Sequence, residues 1–329
     1  MKQEQFITAH GAKWQRLEAW LERRSPKRQS VSDKASPAEF AALYRQTCQH
    51  LALARTRLYS PHLINRLNRL VLESHQIMYG ERRNLFKAMA RYVLADFPAR
   101  VRQKWRLVLL SALLFYVPFV GMITAIQVNP DMVYTVMDGA TLRKLEYMYN
   151  PENRETVGRD WDRQADADLM MFGYYVKNNT GIGFRTFASG LLFGVGTVFV
   201  VLFNGLYIGA AAGHLTQIGY NETFWGFVAG HSALELNAIV LSAAAGLQLG
   251  FALLAPGRRT RLRALREEAR EALKLMYGAA GMFILAAMVE AFWSPLSWVP
   301  TDVKYGAGLA MWGFVFMYFL LGGRRRATG

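Results

Sequence analysis

The chain has 329 residues, a formal net charge of +15, 52% hydrophobic and 13% aromatic residues, and a mean hydropathy of +0.08. That apolar load lies above the soluble average and is clustered along the chain, which excludes a soluble globular class and a disordered one. The single cysteine, Cys48, excludes an internal disulfide and has no basic or metal-ligand company in sequence, so it reads as a buried helix residue.

Residues 1–104 read as a basic, helical cytoplasmic domain. Trp14, Leu17 and Leu21 form a first apolar stripe, and Ser36-Pro37 with Glu39 carries the cap, first-turn proline and capping acid of a second helix. Ser60-Pro61 repeats the start signal before Leu63, Leu67, Leu70 and Val71, and Leu85, Phe86, Met89, Tyr92 and Val93 mark a further helix. These stripes are read as core. Pro98 opens a helix whose Arg100, Arg102, Lys104 and Arg106 lead into residues 105–128, the first transmembrane helix. Its segment Leu107 to Val128 is 22 residues without a charge, long enough to cross a hydrocarbon core about 30 Å thick. The hydrophilic start is read as lacking a cleaved leader, so this span serves as the first targeting signal.

Residues 129–185 read as an extracytoplasmic helical segment, with Leu142, Leu145 and Tyr149 on one helix. Asp166 and Asp168 begin a second that suits the outer surface, with a break at Asn178-Asn179-Thr180-Gly181. Residues 186–257 form a polar-punctuated transmembrane core whose only acids are Glu222 and Glu235. Parity asks for three crossings there, divided as residues 186–203, 206–230 and 233–254. The middle one is weakened by His214, Gln217, Asn221 and Glu222 and reads as a broken or re-entrant segment. A basic cytoplasmic linker, 258–274, precedes the C-terminal transmembrane helices and basic tail of 275–329. The apolar runs there are Leu275–Val289, 15 residues, and Tyr305–Gly323, 19 residues. The fold expected is therefore all-α and polytopic, with about six crossings.

The charge distribution orients it. Residues 1–106 hold 21 Lys and Arg against 8 acids and residues 257–275 hold 7 against 3, whereas residues 129–176 hold 5 against 9. This is the positive-inside pattern of a multi-pass protein of the bacterial cytoplasmic (inner) membrane, with both termini cytoplasmic. It assigns the basic charge to topology and anionic lipid, not to nucleic acid.

Three small-residue repeats, Gly190 with Gly194, Gly205 with Gly209 and Gly213, and Ser242 with Gly246 and Gly250, place small side chains on one helix face at spacings of four. They read as packing seams, and their number suggests that one joins subunits of a homodimer. GVGT at 194–197 lacks the preceding strand and following Lys of a nucleotide loop.

The order FASGLLFGVGTVFVVLFNGLYIG, GHSALELNAIVLSAAAGLQLG, a basic linker and LAAMVEAFW resembles the stage II sporulation protein M family of bacterial and archaeal membrane proteins. Upstream, W..LE..L.RR, LYR, LA.AR, LN.LV and FPARVR resemble its longer members outside spore formers. The most specific parts are Asn204-Gly205 and the pair His231 and Glu235. Where the family has Pro-His-Gly, this chain has Gly230-His231-Ser232, so the tight turn expected there falls to Gly230. The resemblance implies a membrane component of a cell-wall-remodelling machine. It also suggests MoxR-type ATPases, von Willebrand factor A domain proteins and envelope proteins as partners.

His231 and Glu235 stand four apart on one helix face. Three roles remain open for them. One is a polar clamp that satisfies a broken helix together with Asn204 or Asn237. The second is a midplane substrate or ion site, and the third a metal site with His214 as the other candidate ligand. Glu290 falls near the outer end of its span and reads as interfacial. No cofactor or enzymatic activity is expected, since no serine-lysine pair, paired aspartates or full zinc-ligand set appears at usable spacing. The expected function is a noncatalytic membrane scaffold; the alternative is a transporter or channel built around His231 and Glu235.

Overall fold

The computed structural model describes residues 2–23, 37–79, 85–153, 157–158 and 165–324. The chain divides into two compact units, residues 1–89 and 90–329. Among the described residues all regular structure is helical.

In the first unit α1 (Gln3–Arg23), α2 (Pro37–Thr56) and α3 (Pro61–Tyr79) enclose a core of Phe6, Trp14, Leu17, Phe40, Leu63 and Leu67. The stripes read from the sequence face inward. Trp14 is fully buried and its indole donates to His50 Nδ1 at 3.0 Å, which lets a polar ring join an apolar core. Ser60 caps α3, its Oγ 3.5 Å from the Leu63 amide, and its own amide donates to Gln3 Oε1 at 2.8 Å. The cap expected at Ser36 lies outside the described residues. Cys48 is half-buried. The first unit closes at Met89, inside α4 (Leu85–Arg91), where Leu85, Phe86 and Met89 are exposed and not core.

The second unit begins with a π-helical turn, Tyr92–Asp96, and α5 (Phe97–Gln103). Residues 90–104, read from the sequence as the end of the N-terminal domain, belong instead to this unit. Phe97 seats its ring against Gly278 of α11 (Arg261–Phe292), where no Cβ has room. Arg100 pairs with Glu271, and Arg102 donates to the Phe319 carbonyl at 2.7 Å.

Five described helices are long and apolar enough to cross a membrane: α6 (Trp105–Val128), α9 (Val195–Gln217), α10 (Asn221–Leu254), α11 and α12 (Thr301–Leu321). A sixth long helix, α8 (Ala165–Ala188), runs with them although Asp166, Asp168, Lys177 and Arg185 keep it less apolar. Its buried residues Met171, Tyr175, Asn179, Thr186 and Phe187 belong to the bundle interior, so it is not the outer-surface helix that its acidic start suggests.

Five described helices qualify as spans against the roughly six crossings expected, and the helices of the middle segment are bounded differently from the sequence reading. Where the sequence predicts crossings at 186–203, 206–230 and 233–254, the structure has the helices α8, α9 and α10. The break lies at residues 189–194, and the turn between α9 and α10 at 218–220. A 3-10 turn, Ser189–Leu191, is followed by Phe193 at φ 54° and Gly194 at φ 82°, and this left-handed pair reverses the chain. Gly205, Gly209 and Gly213 meet Phe115, Phe119 and Ile123 in turn, so α9 and α6 run parallel and in step. The equal increments of four on both helices fix that direction.

At the centre stands α10, with a continuous interior from Ala238 to Gly250. A helix apolar on all sides belongs inside a bundle. Its glycines admit backbone: a Cβ on Gly190 would stand 2.6 Å from the Gly246 carbonyl carbon, and one on Gly250 would stand 2.9 Å from that of Phe193. Every glycine of the three sequence seams that meets a neighbour within 4 Å does so inside this chain, and Ser242 packs by Gly183. The seams therefore give no ground for a subunit contact. Near one end of the bundle, Gln248 donates to Glu268 at 2.7 Å and Lys104 lies 3.5 Å from the same carboxylate. At the other, α7 (Gly139–Tyr149), capped by Asp138, accepts the Thr223 hydroxyl at the Tyr149 carbonyl, 2.5 Å away.

Candidate functional site

The helix α10 passes through Gly230, His231 and Ser232 without a break. Gly230 is there for close approach and not for a turn. A Cβ at this position would stand 2.7 Å from Trp293 Cε3, so the indole lies directly on the helix backbone. The clamp expectation fails for the same reason. No freed backbone exists at this point for Glu235 to satisfy.

What the close packing of α10 and α11 brings together is a different set. His231 and Glu235, one turn apart on α10, meet Glu290 near the end of α11, with one ligand-type atom of each within 4.8 Å of the others. His231 is 3% exposed. Its Nδ1 is 3.0 Å from Ser294 Oγ, and Nε2 faces Glu235 Oε2 at 3.7 Å, too long for a hydrogen bond. Asn179 of α8, 2% exposed, donates to Glu290 Oε2 at 3.2 Å. The Phe227 ring stands edge-on to the imidazole, with centroids 5.6 Å apart.

Glu290 is the functional candidate that sequence reasoning set aside as interfacial. The signal for it was an acid inside the otherwise uncharged run from Leu275 to Trp293.

Beside the cluster lies a cavity of about 200 Å3, lined by Phe119, Tyr149, Tyr207, His231, Glu235 and Glu290 among others. Burial, and then the nearby Glu290 and Glu235 carboxyls, push the Tyr149 phenol up. By helical rise, His231 lies about 15 Å from the start of α10, on the α7 side of that helix's midpoint.

The other sequence candidates lie elsewhere. Asn204 turns back on its own helix, donating to the Val200 carbonyl at 2.7 Å, and Asn237 does the same to Ala233 at 2.8 Å. Both are local bonds of the i to i−4 kind, and neither side chain is bonded to Glu235. Gly205 serves the α6 contact. His214 pairs with Glu146 of α7 at 2.8 Å and does not join the cluster. Gly209, Gly213, Ser242, Gly246 and Gly250 stand on helices against neighbouring elements, whereas Gly190 lies in the 3-10 turn and Gly194 in the left-handed reversal, where both meet α10.

Searches of curated proteins and of solved structures each returned no match. Two family models do match. Residues 4–80 match one described as a domain of unknown function (DUF8413), which covers the three-helix core of the first unit. Residues 107–295 match the model for stage II sporulation protein M, which takes in α6 to α11 and with them His231, Glu235, Glu290 and the helices that hold them. More than half of the chain is covered by that match, and the protein therefore belongs to the stage II sporulation protein M family.

Proposed function

We propose that this protein is a noncatalytic scaffold of the bacterial cytoplasmic membrane, linking partners on its two sides. The observation that supports it most is the fusion of two separately packed bodies: a three-helix unit with its own core, and a membrane bundle that carries the folded segment 129–149 beyond α6. Backbone contacts at Gly190 with Gly246 and Gly194 with Gly250 lock α10 to the α8–α9 turn, as suits a fixed frame more than a moving gate.

The charge asymmetry supports placing the first unit, the 258–274 linker and the C-terminus in the cytoplasm and residues 129–158 outside. On that orientation MoxR-type ATPases or von Willebrand factor A domain proteins are the cytoplasmic partners, and cell-wall-remodelling proteins the envelope partners. A homodimer remains part of the proposal, although the glycine seams no longer argue for it.

Photo-crosslinking in living cells tests the reading. A crosslinker at exposed Leu72 of the first unit and one at exposed Tyr134 of the other are expected to capture different, reproducible partners. Capture of lipid alone from both positions would defeat it.

A second reading is a transporter or channel around His231 and Glu235. Its support is the cavity beside that pair. Solute flux in vesicles that disappears in Glu235→Gln would favour it over the scaffold.

A further inference from the structure

We propose that His231, Glu235 and Glu290 bind one divalent transition-metal ion of the zinc class. The site goes beyond the scaffold reading and stands whether or not that reading does. Its first support is convergence. One imidazole nitrogen and two carboxylate oxygens from two different helices lie within 4.8 Å of one another, and tetrahedral ligands with bonds near 2.1 Å keep roughly 3.3 Å between them.

The second support is charge. Two carboxylates facing each other among apolar helices repel unless a proton or a cation lies between them, and a divalent ion neutralises the pair while leaving the imidazole uncharged. The donor set narrows the ion. An imidazole beside two carboxylates suits zinc or manganese better than magnesium, which prefers oxygen and water.

The third support is that two of the three ligands are held from behind. Ser294 Oγ at 3.0 Å engages His231 Nδ1, which leaves Nε2 to face the carboxylates. Asn179, itself 2% exposed, donates to Glu290 Oε2 at 3.2 Å and so orients the remaining oxygen. Partners of this kind fix ring tautomer and ligand direction in metal sites. Asn179 and Ser294 are positioning residues here, not ligands. The cavity of about 200 Å3 that reaches all three ligands supplies room for water or another small donor at an open coordination position.

The test uses the full chain, purified in mild detergent through a tag without histidine, stripped with chelator and reloaded with zinc. Parent protein is expected to retain about one zinc ion per chain and to melt at a higher temperature with zinc than without. Glu235→Gln and Glu290→Gln preserve shape and are each expected to lower retention about tenfold or more. Asn179→Ala is expected to weaken affinity about 10- to 100-fold, with stoichiometry recovered at high zinc. Retention by the parent no greater than that of Glu235→Gln, or a parental melting temperature indifferent to zinc, would overturn the proposal and leave a carboxyl pair sharing a proton. Should a glutamine variant fail to fold, the zinc-dependent melting of the chelated parent still decides the question.

Discussion

Replacing Gly246 by alanine tests whether α10 is held by backbone contact. The new Cβ would meet the Thr186 carbonyl oxygen at 2.8 Å and that of Phe187 at 3.1 Å, and it would collide with Thr197 Oγ1. That hydroxyl donates to the Thr186 carbonyl at 2.8 Å, and both threonines are fully buried, so no flexible side-chain end can yield. Overpacking of this sort costs about 1–3 kcal/mol, and displacing a buried hydroxyl from its partner adds about 1–3 kcal/mol. Alanine returns roughly 1 kcal/mol as the better helix former. The net expectation is a loss of about 2–4 kcal/mol. Gly281 provides the control, because it is exposed on α11 and a Cβ there meets nothing within 4 Å. Gly281→Ala should gain up to about 1 kcal/mol. Thermal unfolding of both variants in one detergent measures the contrast, with Gly246→Ala lower by roughly 5–10 °C. A Gly246→Ala protein that melts at or above the parental temperature would refute the seam as described.

In the first unit, burial and then the neighbouring His10 and Lys13 push the His50 imidazole down to about 4. Because the unfolded ring takes up its proton near pH 6.5, the folded unit is fully stable above that pH and loses stability as pH falls toward 4. With solvent screening the loss is about 1–2 kcal/mol, expected as faster amide exchange in α1 to α3 at pH 5 than at pH 7 after correction for intrinsic rates. For topology, a cysteine at position 262 of a Cys48→Ser chain should be protected from impermeant thiol reagent in intact cells while one at 134 is labelled; labelling of 262 from outside would sink the proposed orientation. Glu268→Ala strips the buried Gln248 amide of its 2.7 Å partner and Lys104 of its counter-charge, and should cost about 1–3 kcal/mol in detergent melts, with Glu268→Gln recovering part of it.

The sequence by itself determined the class of this protein. Uncharged runs such as Leu107–Val128 suffice for membrane helices, because in lipid an apolar stretch of that length has no alternative but to span. It also determined the first unit's core, since Trp14, Leu17, Leu63 and Leu67 recur at helical spacing. The family resemblance was legible in the same residues and is borne out over 107–295. The placement of the middle passes was not. Hydropathy does not single out α8, whose charges accompany a face buried among other helices, and once that helix is missed the bounds of the next two shift along the chain.

The site was legible only in part for a related reason. His231 and Glu235 share a helix turn, and spacing along one helix reveals that. Glu290 and Asn179 lie 55 residues after and 56 before Glu235, on α11 and α8 respectively. Only the tertiary structure decided that they meet. The direct contact of the Trp293 ring with Gly230 draws the end of α11 onto α10, and that approach sets a second carboxylate beside the first.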